Sequence, residues 1–312
     1  MSFSYFEAMA VTTHLITPTP WDALKNFTDA RIALGRAGVS LPTAAHLAFQ
    51  LAHAQARDAV HLPLDAGGVA ASLQALGLQT LLLHSQAKDR ATYLQRPDWG
   101  RRLDAPSIDA LACWQKQSRC VSSARSGAVS PIRLTDDAPF DLAFVVVDGL
   151  SALAIHQNAV PLIAAMLARL QADAVHTWSV APVAVVEQGR VAIGDEVAAR
   201  LNAQMVVVLI GERPGLSSPD SLGIYLTWSP KVGITDAQRN CISNVRPAGL
   251  SIEAAAQTLH RLLTQARHKQ LTGVGQKVEE EGLSHYGIHP LPKRGGTITN
   301  ELIDRLRDAE GL

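Results

Sequence analysis

Short apolar runs rich in β-branched residues recur through the second half of the chain, and each is followed by residues typical of loops. Val206–Ile210 runs into Gly211, and Leu142–Val147 runs into Asp148. Runs of this length and composition predict strands that are buried on both faces, as in parallel sheets covered by helices. The same pattern predicts further strands at Gln79–Ser85, Pro182–Val186 and Leu222–Trp228.

Apolar residues at helical spacing fill most of the intervals between these strands. Helices are predicted at His156–Leu170, Gly194–Leu201 and Ile252–Gln265. Strand, loop and helix thus alternate at the spacing of βαβ units. Residues 79–265 are therefore predicted to form an α/β domain with a Rossmann-like, doubly wound parallel sheet.

The first part of the chain has a different composition. Residues 1–20 are irregular, whereas residues 21–78 are rich in Ala, Leu, Gln and His. Within Thr43–Ala59, an apolar stripe at helical spacing consists of Leu47, Leu51 and Ala54. We therefore predict a small N-terminal helical domain over residues 21–78.

Two other stretches show little periodicity. Residues 116–139 are rich in Ser, Arg, Gly and Pro, which predicts an exposed excursion from the domain. Residues 266–312 are charged and are predicted to be a C-terminal tail with one short helix, Ile298–Leu306. The GVG sequence in this tail follows no buried strand, so it is not a dinucleotide-binding fingerprint.

The overall charge does not favour nucleic acid or an anionic membrane as partner, because 28 basic residues balance 28 acidic ones. No apolar stretch approaches the about 20 residues that cross a bilayer. The beginning of the chain has no basic segment followed by a long apolar one, so no secretory signal is predicted. We expect a soluble protein of the cytoplasm.

Metal-ligating residues are present but are not arranged as a site. Cys113, Cys120 and Cys241 form no CxxC pair, and their odd number favours free thiols in a reducing compartment. His46 and His53 lie on one predicted helix face, but no cysteine or paired carboxylate joins them. We predict no metal centre.

The segment after Val206–Ile210 is the best candidate for a ligand site. Ligands of open α/β sheets bind at the carboxyl ends of strands, where this chain places Glu212, Arg213, Pro214 and Gly215. Neighbouring residues of an extended segment point in opposite directions, so Glu212 and Arg213 cannot both face the ligand. The residues indicate binding more clearly than catalysis.

Signatures of several enzyme classes are missing. The sequence contains no G-x-x-x-x-G-K-[ST] phosphate-binding loop, and Ser151 lies in DGLSA rather than in a G-x-S-x-G nucleophile elbow. Asp148 is a strand-end acid that can serve catalysis or metal binding, or can simply cap a helix. We predict no catalytic residue.

Tyr93–Leu103 contains Arg96, Arg101 and Arg102 together with a proline and a tryptophan. Arginine side chains bind carboxylates and phosphates, but arginine and tryptophan are also common at the centre of subunit interfaces. Both interpretations of this predicted loop stay open.

Several motifs resemble one known family. The motifs YLQRPDWGRRL, VVVDGLSALA, VEQGRVAIGDEVA, VVLIGERPGL, LTWSP and RNCISNVRPAGL occur in order between about residues 30 and 265. In order and separation, they resemble the small (light) subunit of ethanolamine ammonia-lyase.

The resemblance implies an adenosylcobalamin-dependent lyase that converts ethanolamine to acetaldehyde and ammonia by a radical mechanism. It implies a hetero-oligomer in which a large, TIM-barrel subunit holds the substrate and the corrin lies between the two chains. Its cofactor contacts correspond to Val191, Glu212 and Cys241, and we add the neighbouring Arg213, Pro214 and Gly215.

Some features depart from the family pattern. The 116–139 excursion is longer than expected, and the tail has no counterpart. Residues 1–20 match poorly to the extension of members packaged in a bacterial microcompartment, which favours a free cytoplasmic enzyme. The alternative function is an autonomous, doubly wound binding protein or hydrolase that uses Asp148 and Glu212 on a phosphorylated or nucleotide ligand.

Overall fold

The computed structural model describes residues 15–28, 30–122 and 138–275. Six strands form one sheet: β1 Thr80–His84, β2 Phe140–Val147, β3 Val183–Glu187, β4 Ala203–Gly211, β5 Leu222–Trp228 and β6 Arg239–Val245. The helices in this part of the chain are α1 Thr43–His61, α2 Ala66–Ala75, α3 Arg90–Gln95, α4 Ala105–Ser122, α5 Ala152–Ala172, α6 Ile193–Arg200 and α7 Ile252–Lys269. Short 3₁₀ turns lie at Asp22–Phe27, Trp99–Arg101, Asp236–Gln238 and Gly273–Gly275.

The sheet is mixed, so the prediction of a wholly parallel sheet is wrong. The strand order is β1-β3-β2-β4-β5-β6, and the first four strands are parallel. β5 and β6 pair antiparallel to their neighbours. The connection from Glu212 to Ser221 contains no helix, and a parallel strand needs a long crossover, so β5 can only turn back beside β4. The α/β class is confirmed, but the Rossmann-like doubly wound topology is not.

Helices cover both faces of the sheet because alternate residues of each strand point to opposite sides. Leu142, Phe144 and Val146 of β2 pack in one core with α2, α5 and α7. Val145 and Val147 pack in the other core with α4 and α6. The inner strands β2, β3 and β4 are buried on both faces, as predicted from their continuous apolar runs. The prediction is wrong for β1, an edge strand in which Leu82 is 56% exposed.

The N-terminal helices do not confirm a separate helical domain. Val69 and Leu73 of α2 belong to the same core as the sheet. In α1 the buried positions are Ala52 and Ala59, whereas Leu47 is 57% exposed and Leu51 is 59% exposed. The apolar stripe predicted for this helix therefore faces outward. The domain boundaries at residues 20, 78 and 265 stay predictions.

Some predicted segments fall partly or wholly outside the described residues. The 116–139 excursion begins inside α4, and residues 123–137 are not described. The tail from residue 276, with its predicted helix Ile298–Leu306, and residues 1–14 also lie outside them. One described helix, α5, is long and apolar enough to cross a membrane by length and composition alone. Its residues Leu162, Ile163 and Met166 are fully buried in the core of the sheet.

Candidate functional site

Three loops meet at the carboxyl edge of the sheet. They follow β2 at Asp148, β3 at Gln188 and β4 at Glu212, and they lie together because these three strands are parallel and adjacent. The DGLS, EQGRV and GERPGL segments therefore share one edge of the sheet. Together with residues after α3 and after β5, they enclose an open cleft of about 970 Å³.

The β2 and β4 loops touch through glycines. Gly149 has a φ of +56°, and a Cβ atom placed on it would lie 2.3 Å from the carbonyl oxygen of Gly211. The backbone N–H of Leu150 donates to the same oxygen at 2.9 Å. A side chain at either glycine would push the two loops apart, so the floor of the cleft depends on this backbone contact.

Asp148 is a structural brace of this edge. Its side chain is 3% exposed, and it accepts a hydrogen bond from the backbone N–H of Gly189 at 3.1 Å and pairs with Arg90 at 3.4 Å. Burial raises the pKa of the Asp148 carboxyl to about 6, although Arg90 and the backbone N–H groups oppose the shift. Asp148 does not line the cleft, whereas the neighbouring Gly149 does.

Tyr93 connects the β3 loop to α3. Its ring lies between two guanidinium groups, with Arg190 4.1 Å and Arg90 4.8 Å from the ring centre. The hydroxyl donates to the carbonyl oxygen of Gly189 at 3.1 Å, and burial raises the pKa of Tyr93, so this donor stays protonated. The sequence predicted a loop here and gave no sign that Arg90 and Arg190 would stack on one ring.

Glu212 holds three elements together at the rim of the cleft. Its carboxylate accepts hydrogen bonds from the hydroxyl of Ser221 at 2.5 Å, the hydroxyl of Ser243 at 2.6 Å and the backbone N–H of Asn244 at 3.2 Å. The loop after β4 is thereby tied to the start of β5 and the end of β6. Glu212 lines the cleft, but much of its acceptor capacity is used within the protein.

The other predicted contacts divide into two groups. Val191, which packs partly against the core, and Arg213, which is exposed, both line the cleft. Pro214 and Gly215 are not among its lining residues. The backbone of Gly215 instead exchanges two hydrogen bonds of 3.1 Å with Ser218 in a tight turn.

Cys241 lies one strand away from the cleft. It is opposite Tyr225 in the β5–β6 register. Tyr225 lines the cleft, and burial together with the neighbouring thiol raises its pKa. Cys241 therefore meets the cleft through Tyr225. Cys113 and Cys241 are free thiols, and the side chain of Cys120 lies outside the described residues.

The arginines of Tyr93–Leu103 have separate environments. Arg96 pairs with Asp98 on the surface at 2.7 Å, and Arg102 pairs with Glu196 of α6 at 3.1 Å. Arg101 and Arg102 line the cleft, whereas Arg96 does not. A ligand in the cleft could therefore meet Arg101 and Arg102 but not Arg96.

One buried ion pair near the cleft was not predicted. Arg239, at the start of β6, forms two hydrogen bonds of 2.7 Å with Asp195 of α6, and both side chains are at most 1% exposed. Arg239 also donates to the carbonyl oxygen of Ile234 at 3.1 Å, which anchors the segment that forms one wall of the cleft. Both residues lie inside the motifs VEQGRVAIGDEVA and RNCISNVRPAGL.

Metal-ligating side chains do not cluster in the described part of the chain. No group of three or more His, Cys, Asp or Glu residues there is placed to hold a metal ion. His46 hydrogen-bonds to Gln50 at 2.9 Å, and His53 packs edge-on against Phe49. What the site offers is an open cleft lined by both polar and apolar residues, suited to binding a large ligand with several hydrogen-bonding groups.

Comparisons with known proteins give one consistent result. Residues 18–277 match the family model of the ethanolamine ammonia-lyase light chain (EutC). An ethanolamine ammonia-lyase small subunit from Ralstonia nicotianae is 57% identical over 263 residues, which cover 84% of this chain and 90% of that protein. Another from Azotobacter vinelandii is 54% identical over 265 residues, covering 85% and 90%. A third, from Pseudomonas fluorescens Pf-5, is 55% identical over 262 residues, covering 84% and 88%.

Proposed function

The chain belongs to the ethanolamine ammonia-lyase light-chain family, and from this premise we propose that it is the small subunit of an adenosylcobalamin-dependent ethanolamine ammonia-lyase. The complete enzyme converts ethanolamine to acetaldehyde and ammonia. The partner is a large subunit that holds the substrate, and the two chains form a hetero-oligomer in the cytoplasm.

The observation that carries the proposal is the cleft at the carboxyl edge of the sheet. Val191 and Glu212, which lie far apart in the sequence, line this one cleft, and Cys241 reaches it through Tyr225. The family resemblance implies cofactor contacts at all three residues. Their convergence at the edge where α/β sheets bind ligands supports a shared ligand.

The residues of the cleft fit one face of a corrin, a broad apolar ring with carboxamides around its edge. Glu212 can accept from an amide N–H, and Val191 offers apolar contact. The Nε atom of Arg190, a residue on the wall of the cleft, is buried and has no acceptor within the described protein. Buried donors of this kind ordinarily find a partner, which favours a polar ligand group at this wall.

When bound, adenosylcobalamin supplies the radical that starts the reaction. This chain contributes binding and orientation. The Gly149–Gly211 contact joins the β2 and β4 loops, and the bond from Gly189 to Asp148 joins the β3 loop to β2. The cleft wall shields one side of the corrin from water. No proton transfer to substrate is assigned to residues of this chain.

The alternative, an autonomous hydrolase that uses Asp148 and Glu212, is less well supported. Asp148 is buried against Arg90 and Gly189 and does not line the cleft. Glu212 already accepts three hydrogen bonds from the protein. Neither carboxylate is free to act as a general base on a ligand in this arrangement.

The subunit dependence gives the direct test of function. The purified chain alone is expected to show no ethanolamine turnover. After it is mixed with the large subunit of the same genome, adenosylcobalamin should support release of acetaldehyde, measured with a coupled alcohol dehydrogenase. Failure of the mixture, with both subunits folded and the cofactor present, would refute the proposed function. Turnover by this chain alone would refute its dependence on a partner.

Glu212→Ala should weaken binding of adenosylcobalamin to the two-subunit complex by about tenfold, the effect of losing roughly one charged hydrogen bond. The measurement is a titration followed by the corrin absorbance. The matched control is Ser243→Ala, which removes one donor to Glu212 and keeps the carboxylate. If both variants lose affinity equally, Glu212 acts only by bracing β6. If neither loses affinity, Glu212 does not contact the cofactor.

A further inference from the structure

The wall of the cleft carries an excess of positive charge. Its lining residues include four arginines, Arg101, Arg102, Arg190 and Arg213, and two acids, Glu212 and Asp236. Both acids are already engaged, since Glu212 accepts hydrogen bonds from serines and a backbone N–H, and Asp236 pairs with Arg239 at 3.2 Å. With four cations against two carboxylates, the lining residues carry a net positive charge.

The four arginines differ in how far the protein neutralises them. Arg102 is paired with Glu196 at 3.1 Å. Arg190 donates only a long hydrogen bond of 3.4 Å to the carbonyl of Tyr93, and its buried Nε has no acceptor. Arg101 forms no ion pair with a carboxylate of the described residues. Arg213, which is exposed, likewise forms no ion pair with a carboxylate of the described residues. Three of the four cations, Arg101, Arg190 and Arg213, thus lack a counter-charge within this part of the protein.

Arg101 and Arg190 also lie close together. The backbone N–H of Arg190 donates to the carbonyl oxygen of Gly100 at 2.7 Å, and the Arg190 side chain packs over Gly100. Stacking on Tyr93 restricts the Arg190 guanidinium, so little conformational entropy is lost when it binds a ligand. A flexible arginine beside a fixed one is suited to a single anionic group with several acceptor oxygens.

We propose that Arg101 and Arg190 form a phosphate-binding subsite of the cleft, which takes the phosphodiester in the nucleotide loop of the corrinoid. The inference rests on the proposed function for the identity of the ligand. A corrin ring carries neutral carboxamides at its edge, whereas the nucleotide loop carries a phosphodiester anion. The subsite therefore orients the nucleotide loop towards the α3 side of the cleft.

The test compares two corrins on the complex of this chain with its large subunit. Hydroxocobalamin has the nucleotide loop, and cobinamide lacks the loop and its phosphate. Arg101→Gln should weaken hydroxocobalamin binding by about tenfold, the effect of one charge-assisted contact, and should leave cobinamide binding within about twofold of the unmodified complex. Arg101→Lys, which keeps the charge, should recover most of the loss, and higher salt should weaken hydroxocobalamin binding more than cobinamide binding.

The control is Arg96→Gln, which removes a surface arginine outside the cleft and should change neither affinity. Arg190→Lys is a second variant, which keeps the positive charge but loses the planar guanidinium. It should also weaken the binding of hydroxocobalamin and leave the binding of cobinamide unchanged. An equal loss for both corrins, or no loss for either, would overturn the phosphate subsite while leaving the proposed function intact. If the unmodified complex binds neither corrin, the proposed function itself fails, and the subsite fails with it.

Discussion

Replacing Asp195 with alanine is expected to lower the free energy of unfolding by about 3–5 kcal/mol, because it removes the buried carboxylate that pairs with Arg239. The remaining charge partner of Arg239 is Asp236 at 3.2 Å, whose side chain is 91% exposed and screened by water. The two side chains share two hydrogen bonds of 2.7 Å and are at most 1% exposed. Thr227 also contacts Arg239, at 2.9 Å, but a hydroxyl cannot neutralise a guanidinium. Urea unfolding followed by circular dichroism measures the change.

A double replacement separates the charge from the packing. Asp195→Leu combined with Arg239→Met removes both charges and should regain much of the lost stability, since apolar pairs can replace buried ion pairs at little cost. The surface pair of Arg96 and Asp98 supplies the control, because both side chains are more than half exposed and Asp98→Ala should leave the unfolding midpoint unchanged. An Asp195→Ala variant as stable as the unmodified chain would contradict the assigned role of the pair.

The second large effect is expected at Gly149. An alanine at this position would be held in a left-handed backbone conformation, which costs about 1–2 kcal/mol. Its Cβ atom would also lie 2.3 Å from the Gly211 carbonyl oxygen and 2.4 Å from Ile210 Cγ1. Overpacking against fixed backbone adds about 1–3 kcal/mol. We expect a total loss of about 2–5 kcal/mol, measured by urea unfolding, and weaker corrin binding by the two-subunit complex, since the β2 and β4 loops must separate.

Gly38 provides the matched control for this variant. Its φ of +62° is close to that of Gly149, but a Cβ atom there would meet nothing within 4 Å. Gly38→Ala should therefore cost only the backbone strain of about 1–2 kcal/mol and should not affect corrin binding. Equal losses at the two positions would show that the close approach of the loops is unimportant.

Several parts of the fold could be predicted from local patterns. The strand predicted at Leu222–Trp228 has the same bounds as β5, and Leu142–Val147 lies within β2. These runs are continuous and apolar because both faces of each strand are buried, which is a local and readable signal. The β6 strand gave no such signal, because Cys241, Ser243 and Asn244 are exposed on an edge strand.

The candidate site was predicted in part. Val191, Glu212 and Arg213 line the cleft, since they follow strands whose ends coincide. Arg90 and Asp195 were missed, because a pattern of apolar and polar positions carries no information about which distant charge a side chain will meet. The burial of Asp148 against Arg90 likewise could not be inferred from its position at a strand end.

By itself, the sequence determined the α/β class, most strands and helices, and the family to which the chain belongs. The class and the elements depend on residues close together in the chain, and the family is identified by motifs that occur in a fixed order along it. Only the tertiary structure decided that the sheet is mixed, that Leu47 and Leu51 face outward, and that Glu212 braces three elements. Each of these features depends on which parts of the chain, distant in sequence, pack together. The burial and hydrogen bonding that favour one packing come from residues far apart in the chain, so no local pattern contains them.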